Sequence, residues 1–131
     1  MLCGEIEELV KKAEDALKNA YAPYSNYRVS AALLCEDGSV YTGVNVENSS
    51  YGLSICAERV AVFKAVSEGQ RKFKAIAIVS DSPNIPPLPC GACRQVLAEF
   101  SKDTLVVVKT PEGLFKGELK DLLPYSFDFT K

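Results

Sequence analysis

The stretch CAERVAVFKAVSEGQRKFKAIAIVSDSPNIPPLPCGACRQVLAEFSKDTLVVVK, residues 56–109, decides the fold. Its first part sets Val60, Phe63, Lys64 and Ser67 in helical alternation with Ala57, Ala61 and Ala65, predicting a helix from Cys56 to Glu68 with Gly69 as its stop. Ala75–Val79 is a short, almost wholly apolar strand, and Asp81–Pro89 is a proline-rich connection. A third helix, Gly91–Phe100, begins inside a CxxC, and Leu105–Lys109 is a second buried strand. Helices alternating with apolar strands point to a layered α/β architecture.

Upstream, Ile6, Leu9, Val10, Ala13, Ala16, Leu17 and Ala20 recur at steps of three and four, predicting an amphipathic helix over Glu5–Ala20. Tyr27–Cys35 and Ser39–Asn45 are β-rich and joined by Glu36-Asp37-Gly38 as a hairpin, followed by a polar loop to Ser50. Downstream, Leu114-Phe115-Lys116 reads as an edge strand and Glu118–Leu123 as a last short helix stopped by Pro124. The expected order is αββαβαβ, then a short strand and tail. It implies a three-layer α/β/α sandwich around a mixed five-stranded sheet, in one domain spanning 1–131 with no internal repeat.

The bulk properties narrow the function. At 131 residues and 47% hydrophobic, the chain supports a compact core. No apolar run approaches ~20 residues and no basic N-terminal region leads into an apolar stretch, so a soluble, cytoplasmic protein without a membrane partner is expected. A net charge of −2, from 15 basic and 17 acidic residues spread along the chain, disfavours a polymeric nucleic acid as substrate. Histidine is absent, which removes Ser-His and Cys-His nucleophile systems and leaves proton transfer to a carboxylate, lysine, tyrosine or metal-bound water.

The chemistry concentrates in Cys56-Ala57-Glu58 and Pro89-Cys90-Gly91-Ala92-Cys93. Five cysteines is an odd count, and a CxxC with a distant third cysteine suits a metal better than a disulfide framework. Cys90 and Cys93 lie on one face of a first helical turn and reach one ion at the roughly 2.3 Å that zinc requires, with Cys56 completing the set from another helix mouth. Three ligands leave one coordination position open, as a catalytic zinc does. Glu58, two residues from Cys56, points away from the ligand set in a regular helix and is better placed to handle a water's protons. Three thiolates overcompensate a dication, so Arg59 and Arg94 are expected to donate to the sulfurs. Cys3 and Cys35 are most simply unliganded thiols.

Cys56-Ala57-Glu58-Arg59 with Pro89-Cys90-Gly91-Ala92-Cys93-Arg94-Gln95 resembles the zinc-dependent cytidine deaminase family in its small homotetrameric form, and the resemblance runs from Tyr21-Ala22-Pro23-Tyr24-Ser25 through Leu122-Leu123-Pro124. It implies that Cys56, Cys90 and Cys93 bind Zn2+, that zinc-held hydroxide attacks C4 of cytosine, and that Glu58 carries a proton to N3 and then to the departing ammonia. It further implies a ribose clamp from Asn45 and Glu47, with Ala57 as a further substrate contact. Tyr27 stands where the family commonly has phenylalanine beside the nucleoside, so its hydroxyl needs a polar partner. Phe127 matches an aromatic that stacks on the base from a neighbouring subunit, with Phe129 competing for that assignment, and Tyr51 resembles a tyrosine near the subunit junction.

The implied activity is hydrolytic deamination of cytidine and deoxycytidine in pyrimidine salvage, by a homotetramer with shared active sites. Two alternatives stand beside it. One is a deaminase of the same fold acting on a cytosine-containing antibiotic such as blasticidin S. The other is a non-catalytic zinc-binding interaction module, which the missing fourth Cys or His ligand and the otherwise unneeded Glu58 count against.

Overall fold

The structure is a computed structural model and describes residues 2–82 and 84–129. Helix α1 (Cys3–Ala16) leads into β1 (Val29–Cys35) and β2 (Val40–Val44), followed by α2 (Ala57–Ser67), β3 (Phe73–Ser80), α3 (Gly91–Phe100), β4 (Leu105–Thr110), β5 (Gly113–Glu118) and α4 (Leu119–Leu122). The five strands form one sheet in the order β2-β1-β3-β4-β5. Only β3 and β4 run parallel, and the connection between them is α3, as a parallel pair requires.

Period-two alternation along the strands separates two apolar layers. On one face Ala32, Ala75, Ala77, Val79 and Val107 pack against Ile6, Leu9, Val10 and Ala13 of α1. On the other, Leu33, Ile76, Ile78, Val106 and Val108 pack against Ala57, Ala61, Val62 and Ala65 of α2 and Leu97 of α3. The expected mixed five-stranded sheet with helices on both faces is therefore what the chain forms.

Element ends differ from the periodicity for identifiable reasons. The first helix stops at Ala16 and not Ala20, because the buried Ser30 hydroxyl takes the Ala13 carbonyl. The Leu17 N–H turns instead to the Glu14 carbonyl, which tightens the chain into a 3-10 turn at Leu17–Asn19. Strand β1 begins at Val29 and not Tyr27, since Asn26 is left-handed (φ 58) and side chains replace the ladder: Arg28 N–H donates to Asp81 and Val29 N–H to Asn45. Helix α2 closes in a Schellman motif, with Gly69 at φ 95, its N–H on the Val66 carbonyl and the Gln70 N–H on Ala65.

Gly43 of β2 sets how closely α2 approaches the sheet. A β-carbon there would lie 2.4 Å from both the Ala57 carbonyl oxygen and the Ala61 amide nitrogen. Neither is a side chain that can swing away, so Gly43→Ala must push α2 off the sheet. We expect a loss of about 3 kcal/mol in urea unfolding. The same substitution should cost turnover, because α2 begins beside Cys56 and carries Glu58.

Candidate active site

Helix N-caps are usually Ser, Thr, Asp or Asn, whose oxygens satisfy the free amides of the first turn. Here both α2 and α3 are capped by cysteine, Cys56 and Cys90, and neither side chain makes a capping bond. Each cap is extended (φ −79, ψ 153 and φ −69, ψ 170), which swings the thiol off the helix cylinder. With Cys93 in the first turn of α3, the three sulfurs converge. Sγ of Cys56 lies 3.8 Å from that of Cys90, which lies 3.4 Å from that of Cys93, and all three fall within 4.8 Å of one another. A tetrahedral zinc with bonds near 2.3 Å spaces its sulfurs by about 3.8 Å, so the donor set fits this ion.

The electrostatics point the same way. The Cys56 thiol is pushed down to about 5, chiefly by the neighbouring Cys93 thiol and then by Arg59 and Cys90, which hydrogen-bond it. Cys93 is pushed up by its proximity to Cys56 and by burial, and a cation bound by the three sulfurs would displace their protons. Arg59 Nη2 donates to Cys56 Sγ at 3.4 Å, as expected, and its Nε is buried with no partner among the described residues. Arg94 does otherwise. Its Nε donates to the Pro89 carbonyl at 2.7 Å and its Nη1 to that of Leu122 at 2.7 Å, so it braces the approach to α3 against α4 and leaves the sulfurs to Arg59.

Glu58 occupies the second position of α2 and is only 4% exposed. A carboxylate near a helix N-terminus is ordinarily favoured in its charged form. Burial outweighs that here and, helped by the Cys56 charge, lifts Glu58 from 4.5 to about 7. Such a group exchanges protons readily at neutral pH.

Cys56, Glu58 and Cys90 share a cavity of about 410 Å³ with Asn45, Glu47 and Tyr27. That size suits a small-molecule ligand. The loop carrying Asn45 and Glu47 is pinned on both sides by backbone bonds, to Tyr21 and to Ile55. Asn45 Oδ1 accepts from Val29 N–H at 3.0 Å and Nδ2 donates to the Tyr27 carbonyl at 2.8 Å, leaving one donor and one acceptor free on the amide.

The sequence region described as "Cytidine and deoxycytidylate deaminase zinc-binding region" matches residues 4–109 of this chain. The chain belongs to this deaminase family. A cytidine deaminase of Sporosarcina psychrophila is 48% identical over 128 residues, spanning 94% of this chain and 91% of that protein. One from Halalkalibacterium halodurans is 51% identical over 121 residues, spanning 91% of each. The crystal structure of cytidine deaminase from Burkholderia pseudomallei superposes with a TM-score of 0.87 at 45% identity, covering 97% of this chain and 100% of that one. A blasticidin-S deaminase of Bacillus cereus is more distant, 28% identical over 127 residues.

The deaminase fold brings together Cys56, Glu58, Arg59, Cys90, Cys93, Asn45, Glu47, Tyr27 and Ala57, from four separate segments of chain. The polar partner that Tyr27 requires is the Ile85 carbonyl, which accepts from its hydroxyl at 3.1 Å. Tyr51 and Phe127 lie outside this cavity, 75% and 72% exposed, Tyr51 edge-on to Tyr24 and Phe127 tilted against Phe129. Ile85, Pro86, Pro87 and Leu88, which no sequence motif singles out, form an apolar wall of the cavity. The signal was present in the run of prolines, which stiffens a loop without secondary structure. Ser25, which bonds Glu47, lies in the Tyr21–Ser25 stretch that carries the resemblance, but nothing in that stretch assigns it a role.

Proposed function

We propose that this chain deaminates cytidine and deoxycytidine to uridine and deoxyuridine, releasing ammonia. The observation that carries the reading is Glu58, a buried carboxyl poised near neutrality in the same cavity as three converging thiols and a sugar-sized polar pair. When bound by Cys56, Cys90 and Cys93, zinc supplies a Lewis acid that makes water nucleophilic at neutral pH. Glu58 removes the proton of the attacking water, gives it to the ring nitrogen N3, and passes a proton on to the leaving amine. Arg59, held on Cys56, offsets the surplus negative charge of the sulfurs. Asn45 and Glu47 bind the sugar, with an amide that still has a donor and an acceptor and a carboxylate that accepts only. Tyr27 and Ala57 line the same cavity and contact the nucleoside.

The proposal extends to the assembly. Tyr51, Phe127 and Phe129 expose large rings that their own cavity does not use, which supports a homotetramer in which these aromatics complete neighbouring sites, Phe127 stacking on the base. Sedimentation should return a species of four chains, and a stable, active monomer would overturn that part. All five cysteines are free thiols, which suits a reducing, cytoplasmic compartment and a role in pyrimidine salvage. No helix among the described residues is long and apolar enough to cross a membrane.

Incubating the zinc-loaded protein with cytidine, deoxycytidine and blasticidin S, and following loss of cytosine absorbance with release of ammonia, tests the substrate. Turnover of both nucleosides is expected. Turnover of blasticidin S alone, or of nothing, would overturn the reading.

A further inference from the structure

Glu47 does not hold its position by itself. Its Oε1 accepts the backbone N–H of Tyr24 at 2.9 Å and of Ser25 at 3.1 Å, while its Oε2 accepts the Ser25 hydroxyl. A carboxylate offers about four acceptor sites, so one remains, on Oε2. The Ser25 oxygen in turn accepts the Tyr27 N–H at 3.1 Å, an arrangement made possible by the left-handed turn at Asn26 (φ 58) between them. That acceptance leaves the hydroxyl proton committed to Glu47. The Tyr27 carbonyl is fixed by Asn45 Nδ2, so one chain of bonds links Glu47, Ser25, Tyr27 and Asn45 across segments more than fifteen residues apart in sequence.

We infer that Ser25 is a positioning residue for substrate: its hydroxyl and amide orient Glu47 so that the carboxylate presents one acceptor to a sugar hydroxyl. The inference rests on the proposed role of Glu47 in binding the sugar. Ser25 is exposed and contributes nothing to either apolar layer, so its bonds are not explained by the core. Its hydroxyl is also the largest influence holding the Glu47 carboxyl below the usual carboxylate range. Because Glu47 is held as acceptor only, a substrate must bring a donor to it, and an anionic substituent there is repelled.

The test compares Ser25→Ala with the native chain on cytidine and on 2′,3′-dideoxycytidine, which lacks both ring hydroxyls. On cytidine, KM should rise on the order of tenfold, the effect of losing a hydrogen bond to a charged group, with kcat within about twofold. On dideoxycytidine, kcat/KM should change by less than about twofold, because the group that Glu47 receives is already gone. Ser25→Gly, which keeps the amide and removes the hydroxyl, should repeat this split, and Ser25→Thr should return KM to near the native value. Zinc content, measured on each variant, should stay at the native value, and the thermal midpoint should fall by no more than about 5 °C, the loss expected from one hydrogen bond to a charged group. An equal loss on both substrates, or no loss on cytidine, overturns the positioning role of Ser25. A native protein that turns over the two substrates equally well overturns the sugar-binding role of Glu47 instead, and the inference falls with it.

Discussion

Glu58→Gln should keep one zinc per chain and lose cytidine turnover by about 10⁴-fold, the upper range for removing a general acid–base group, here used for more than one transfer. The amide occupies the same volume in a site that is 4% exposed, so packing of α2 is preserved. It can hydrogen-bond but cannot take or return a proton. Metal analysis and a progress curve on the same preparation check both halves, and native-like turnover would remove Glu58 from the mechanism. The zinc-free protein offers a second readout with a definite sign. Burial raises Glu58 from 4.5 to about 7, so the folded state binds the proton more tightly than the unfolded one. The stability linked to that proton is fully present below about pH 4.5 and is lost as pH rises through 7. Glutamine abolishes the penalty. Metal-free Glu58→Gln should therefore exceed the metal-free native chain at pH 8, by about 3 kcal/mol at most, and match it near pH 4.

Cys93→Ala should abolish both zinc binding and activity and lower the thermal midpoint on the order of 10 °C. Cys93 is fully buried, so no other donor can enter from solvent to replace it. Its removal leaves Cys56 and Cys90, and two thiolates do not close a tetrahedral site. A native state that binds its ion at a thousandfold excess over Kd gains about 4 kcal/mol from mass action, which the variant forfeits. For a chain of 131 residues that free energy corresponds to the stated shift. Calorimetry with and without added zinc checks it. The native chain treated with a strong chelator should fall to the same midpoint and recover on zinc addition, whereas the variant should not respond. A variant that still binds zinc stoichiometrically would show that the ion sits elsewhere.

The parts of this protein legible in sequence are those carried by local spacing. Ala75–Val79 and Leu105–Lys109 read as buried strands because a parallel pair covered on both faces must be apolar throughout, and both lie within strands of the structure. The cysteines read as metal ligands because a three-residue spacing on a helical first turn brings two thiols together whatever the rest of the chain does. Arg94 marks where local reading stops. Its adjacency to Cys93 suggested a sulfur donor, but the carbonyls of Pro89 and Leu122, the latter twenty-eight residues away, take its guanidinium. Strand β1 starts at Val29, later than its residue pattern suggests, for the same kind of reason, since Asp81 and Asn45 claim the amides that a ladder would use.

The sequence by itself determined the candidate set: three thiols, one carboxyl, two arginines beside them, and no histidine to compete for the proton work. Those assignments follow from residue chemistry and from helical geometry over a few positions. That Arg59 and not Arg94 reaches a sulfur was decided by the fold. Only the tertiary structure decided the environment of each group. Burial between α2 and the rest of the fold lifts Glu58 to near neutrality, and Gly43 lets α2 sit close enough to the sheet for that burial to occur. It also supplied the bond from Ser25 to Glu47 and the Ile85–Leu88 wall, which join residues far apart in the chain. Desolvation and hydrogen bonding across distant segments depend on which surfaces the folded chain removes from water, and no spacing along the chain encodes that.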